Sequence, residues 1–153
     1  MMSDNLSLWN SVKESNPKYL KKVSIGARSF TSIDPQYQIR SATEAFGPVG
    51  KGWSYDVEYK YISHGDVTMC VAEITIIYWV GGELHKYGPV AGCRTFIHMN
   101  HPKRGTVINE DAPKMALTDG LTKALSHLGF NADVFLGEHD NKYAAEAKAK
   151  GEW

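Results

Sequence analysis

Asp111 to Gly129 reads DAPKMALTDGLTKALSHLG, and it predicts one helix with a marked start and stop. Asp111 is a residue type that caps free amides, and Pro113 falls in the first turn, where a missing N–H costs little. Gly129 suits the left-handed residue that ends a helix. Between them Leu117, Leu121, Leu125 and Leu128 recur at helical spacing with Ala124 beside them, an apolar stripe. Thr118, Thr122 and Ser126 form a hydroxyl-bearing flank, and Lys123 points nearly opposite the leucines. Asp119 and Lys123 make an i,i+4 pair in the favourable order, worth about 0.3 kcal/mol. On pattern alone this is a core helix with a solvated back.

Upstream of it the periodicity changes from helical to alternating. In Trp53 to Ile62 (WSYDVEYKYI), Trp53, Tyr55, Val57, Tyr59 and Tyr61 share one face, opposite Ser54, Asp56, Glu58 and Lys60. Such a tyrosine row is expected to be the buried face, although exposed tyrosines can stack nucleic-acid bases. Ser63 to Asp66 turns the chain into Val67–Val80 (VTMCVAEITIIYWV), a long strand rich in β-branched residues. Gly81-Gly82 is a hairpin signal. Glu83 to Tyr87 returns, Gly88-Pro89 marks an edge or bulge, and Ala91 to His98 continues the sheet. These turns are too short for crossover helices, so the expected fold class is α+β with an antiparallel β-meander packed against helices. Met99 to Glu110, with Lys103 and Arg104, reads as a polar connection.

Nearer the N-terminus, Leu6 to Val23 reads as a short amphipathic segment broken at Asn16-Pro17, with Lys18, Lys21 and Lys22 as solvated surface. Arg28 to Ile33 alternates like a strand. Asp34-Pro35 opens a second helix that carries Ile39, Ala42 and Phe46, turns Arg40 partly away from them and stops at Gly47. The loop FGPVGKGW, Phe46 to Trp53, holds three glycines around Lys51. It leads into a strand rather than a helix, which excludes a Walker-type triphosphate site. Residues 1–143 are expected to form one domain, and residues 144–153 a frayed helical tail without an apolar stripe.

The 153 residues suffice for a real core, and 42% hydrophobic with 22% charged residues is an ordinary globular balance. Formal net charge is zero, so any polyanion must be met by a local basic patch. Two cysteines, Cys70 and Cys93, are too few for a disulfide scaffold; they allow a single bridge but favour a reduced intracellular protein. MMSDNLSLWN lacks the charged start and apolar core of a signal peptide, so a cytoplasmic location is expected.

Catalytic and metal signals are weak. His98 and His101 make one ligand-like pair near Cys93, with no second pair to complete a zinc site. Asp133, Glu138 and Asp140 offer carboxylates for magnesium, but Glu73 is the only candidate on the strands, and a cross-strand ion pair suits it better. No serine sits in a G-x-S-x-G elbow. The expectation is therefore no catalytic residue, no metal and no cofactor.

Three features in order resemble a known family: a helix running into TEAFGPVGKGW, a β-meander, then DAPKMALTDGLTKALSHLGFNADVF. Together, over roughly Tyr19 to Tyr143, they are similar to the single-strand annealing proteins of the Rad-fifty-two superfamily in their short phage (Sak-like) form. The resemblance implies a β-β-β-α core, assembly into rings or curved filaments, and a groove for single-stranded DNA. It implies DNA contacts at Lys123, just after TDGL, and at Lys103, the counterpart of a lysine in a second groove. A further family arginine is Ser126 here. Tyr37 stands where the family has an arginine, with Arg40 one turn later as its substitute. Residue reading adds Arg104 beside Lys103 and Lys51 in the glycine loop.

The function expected is single-stranded DNA binding and annealing in homologous recombination, by a homo-oligomer in a bacterial host. A phage exonuclease and a single-strand binding protein are the partner classes that fit. The alternatives are a metal-dependent nuclease acting on DNA, and a structural oligomer whose aromatic strands form subunit interfaces.

Overall fold

The computed structural model describes residues 4–140; the expected tail, 144–153, lies outside the described residues. The fold is α+β. In order the elements are α1 (Ser7–Val12), β1 (Leu20–Ile25), β2 (Arg28–Ile33), α2 (Pro35–Phe46), β3 (Trp53–His64), β4 (Val67–Val80), β5 (Glu83–His101), β6 (Gly105–Ile108), α3 (Ala112–His127) and α4 (Ala132–Phe135). They form two compact units, residues 4–45 with 126–140, and residues 46–125.

In the first unit β1 and β2 pair as an antiparallel hairpin from Leu20↔Ile33 to Ile25↔Arg28. The segment read as amphipathic and broken at Asn16-Pro17, Leu6 to Val23, is α-helical over Ser7–Val12, makes one 3-10 turn at Pro17–Tyr19 and then, against expectation, enters a strand with Lys21 and Lys22. Burial along β1 recurs every third residue, at Leu20 and Val23, so the alternation that marks a half-buried strand is absent. The hairpin partner, not local pattern, makes it a strand. Tyr19 stacks on Tyr37 with ring centroids 4.3 Å apart.

The C-terminal segment fastens this unit through two carboxylates. Asp140 accepts from Lys22 Nζ (2.7 Å), Thr31 Oγ1 (2.6 Å) and Thr31 N (3.0 Å). Asp133 accepts from Ser15 Oγ (2.6 Å) and Ser15 N (3.0 Å) and lies 2.8 Å from His139 Nε2. The lysines read as solvated surface are exposed, and one of them, Lys22, also supplies one half of a clasp.

The second unit is a four-stranded antiparallel sheet in the order β3-β4-β5-β6, followed by α3. The β3–β4 register runs from Trp53↔Tyr78 to His64↔Val67. Gly81 and Gly82 close the next hairpin with positive φ at both positions. β5 is one strand of 19 residues, and the register shift opposite Gly88-Pro89 falls between Ile74 and Ile76. The polar connection expected at Met99 to Glu110 is instead the end of β5, a turn and the short strand β6. Beyond His98, Asn100 and His101 carry no strand signal of their own, and pairing of Ile97 with Ile108, His98 with Val107 and His101 with Gly105 defines this end of the sheet. The meander therefore has a fourth strand before its helix.

β4 alternates cleanly, with Cys70, Ala72, Ile74 and Ile76 buried. α3 meets that face most closely at its small residues. Ala112, Ala116 and Ala124 are fully buried and Gly120 is buried; of the expected leucine stripe Leu121 and Leu125 are buried and Leu117 is half-buried. The backbones meet at Gly92 and Gly120. A Cβ on Gly92 would fall on the Ala116 carbonyl oxygen, and one on Gly120 would lie 2.8 Å from Ile74 Cγ1 and 2.9 Å from Gly92 N. Close approach demands the absence of a side chain at both positions.

Candidate nucleic-acid interface

Residues paired across a sheet point to the same side. The α3 side of β4 therefore extends onto β3 through Tyr55, Val57, Tyr59 and Tyr61, and onto β5 through Val90, Gly92 and Arg94. Trp53 at the start of the β3 row is buried. The burial expected for the rest of that row fails along the strand: Tyr59 is 38% and Tyr61 54% exposed. α3 seats on Gly92 and leaves this half of β3 open. Phe96 meets the Tyr61 ring edge-on at 5.4 Å. Cys70 pairs with Tyr61 across the strands, and burial pushes its thiol up in pKa. Burial raises the Tyr59 and Tyr61 phenols as well, so the row is uncharged at neutral pH.

Beside this row stand two cations held by one acid. Asp119 Oδ2 lies 3.2 Å from Lys123 Nζ and 3.9 Å from Arg94 Nη1, and it accepts from Cys93 N at 3.3 Å. Asp119 is mostly covered, whereas both cations are about half exposed. One carboxylate fixes two positive groups and leaves the cluster with a net positive charge. Arg94 was missed in the sequence. Its signal was there in AGCRTF, where alternation puts it on the same side as Gly92.

The other candidate residues are more scattered. Lys51 is exposed in the turn before Trp53, at the end of the sheet where Tyr78 faces His85. Lys103 and Arg104 are exposed at the tip of the β5–β6 hairpin, at the opposite end, roughly 40 Å away at about 3.3 Å per residue along β3. They are not in a loop feeding α3. Arg94 lies seven residues before His101, about 20 Å from that tip. Lys103 N donates to His101 Nδ1 at 3.2 Å, and Arg104 N to His101 O at 3.2 Å, which shapes the turn. Arg40 belongs to the first unit, is exposed on α2 and donates to the Tyr19 hydroxyl at 3.1 Å.

On the opposite side of the sheet Glu73 makes its cross-strand pair with Lys60 at 2.9 Å. The His98 and His101 rings lie 5.2 Å apart, but among the described residues no three His, Cys, Asp or Glu side chains group as metal ligands. Asp133 and Asp140, weighed above as magnesium ligands, are engaged in the clasp. The Lys22 and Thr31 hydrogen bonds hold the Asp140 carboxyl far below the usual range. Burial works against ionisation of Asp133, yet the hydrogen bonds from Ser15 and His139 outweigh it and lower that carboxyl too. Among the described residues no helix is long and apolar enough to cross a membrane. No protein-family model matches this chain, and no curated protein matches it.

Proposed function

We propose that this chain binds single-stranded DNA and anneals complementary strands in homologous recombination, as a homo-oligomer in the cytoplasm of a phage's bacterial host. The observation that carries the reading is the pair of half-exposed cations, Arg94 and Lys123, fixed around Asp119 on an otherwise neutral chain. Lys123 follows the TDGL motif, so the resemblance and the geometry meet at one residue. Lys103 and Arg104 add positive charge at the β5–β6 tip, about 20 Å from Arg94, and assembly into rings or curved filaments repeats both from subunit to subunit. The activity needs no bond-making. Cations hold the phosphates, base edges stay accessible, and a second strand tests pairing against them.

Fluorescence anisotropy with a labelled oligonucleotide tests the proposal, run with an annealing assay and light scattering. Arg94→Ala with Lys123→Ala is expected to weaken binding and to flatten the log–log salt dependence by about 1.4, from two lost phosphate contacts. Unchanged affinity and slope would remove this contact set. Cleavage of the oligonucleotide in magnesium would support the nuclease reading instead.

A further inference from the structure

We infer that the exposed tyrosine row of β3, Tyr59 and Tyr61 closed by Phe96, is a stacking platform for the unpaired bases of the strand whose phosphates Arg94 and Lys123 hold. The inference rests on the single-strand reading above and names which part of the nucleotide each group takes. Its ground is an aromatic row left open to solvent within a fold that buries the neighbouring strand on the same side. Exposed apolar surface of this kind marks an interaction site.

The rings are positioned rather than loose. Tyr61 is held by the edge of Phe96, with ring centroids 5.4 Å apart. Tyr59 and Tyr61 are two residues apart, hence about 7 Å along the strand, roughly twice the 3.4 Å rise per nucleotide of a duplex strand. Bases seated on both rings are therefore drawn apart from one another, which an unpaired strand permits and a duplex does not. Tyr61, Cys70 and Arg94 form one row across three strands, placing the Cα atoms of Tyr61 and Arg94 about 10 Å apart. An arginine side chain and one nucleotide span that gap. Stacking uses the face of a base and leaves its Watson–Crick edge free, as annealing requires. Positive charge beside the rings matches phosphates and selects nucleic acid over a second copy of this neutral chain as the occupant.

The test compares an ordinary oligonucleotide with an abasic deoxyribose-phosphate strand of the same length, for the unsubstituted protein, Tyr59→Val/Tyr61→Val and Tyr59→Phe/Tyr61→Phe. The valine variant is expected to bind the ordinary strand at least tenfold more weakly, with the salt slope unchanged. It should lose the preference for the ordinary over the abasic strand, while the phenylalanine variant keeps it. A folded valine variant that retains this preference overturns the platform. A valine variant that changes particle size in light scattering while its DNA contacts are unaltered assigns the row to a subunit interface and also overturns it. Tight binding that ignores the bases sinks the platform alone, whereas no binding by the unsubstituted protein sinks the single-strand reading as well.

Discussion

Lys22 with Asp140 in the first unit, and Arg94 and Lys123 with Asp119 in the second, are both ionic clusters, and they differ in whether the charge is used up. Asp140 meets one cation at 2.7 Å and fills its remaining capacity with Thr31. Asp119 is shared between two cations at 3.2 and 3.9 Å, so a positive excess stays at the surface. The first arrangement ties sequence-distant segments together. The second leaves two half-exposed cations around one acid at the surface. A carboxylate's count of cationic neighbours thus separates a structural clasp from a candidate recognition surface, where proximity of opposite charges alone does not.

Four substitutions break or sharpen that contrast. The largest effect is expected from Gly92→Val, because its Cβ would fall on the α3 backbone. Overpacking should cost about 3 kcal/mol in a urea melt and should remove DNA binding with it, since Asp119 and Lys123 ride on α3. Next, Asp140→Asn should lower the melting temperature by a few degrees and leave oligonucleotide binding unchanged. Its carboxyl is lowered in the native state, so the stability it contributes is present above the ordinary carboxylate range. That contribution is lost as pH falls through the lowered native value. The gap in melting temperature between native protein and variant is expected to be full at pH 7 and to shrink below about pH 4.

Asp119→Asn should act in the opposite sense on function. The amide can still accept from Cys93 N but no longer offsets Arg94 and Lys123. Affinity for single strands at low salt should rise roughly threefold, equivalent to about 0.7 kcal/mol, with a small loss of stability. The smallest effect is expected from Lys60→Ala, which removes a half-exposed cation from the other side of the sheet. Anisotropy should show little change in affinity or slope; a large loss would place the strand on that side instead.

What the sequence reveals follows from what is local. α3 is legible from its proline, its ending glycine and its helical stripe, and β3 and β4 from strict alternation. β1 is not, because its burial recurs at every third position, and β6 is not, because four residues after a polar turn hold no period of their own. The aromatic row reads correctly as one side of the strand; the burial expected of it holds at Trp53 and fails at Tyr59 and Tyr61, since exposure depends on where α3 settles. That position is decided by Gly92 and Gly120, which weigh little in a hydrophobic pattern that favours leucines. The Lys22–Asp140 clasp joins residues 118 apart, a distance over which charges carry no pattern. Alternation in AGCRTF places Arg94 on the side of Gly92, but its pairing with Asp119 is set only once α3 lies beside β5.

The glycine contact has a further consequence for α3. Along its sheet-facing side Ala112, Ala116, Gly120 and Ala124 recur at one-turn intervals, and only Gly120 lacks a methyl where the gap to Gly92 is narrowest. Sliding the helix by a turn in either direction would set an alanine methyl against that backbone. The helix thus has a single permitted axial stop, and the charges it carries inherit their coordinates from a missing carbon atom.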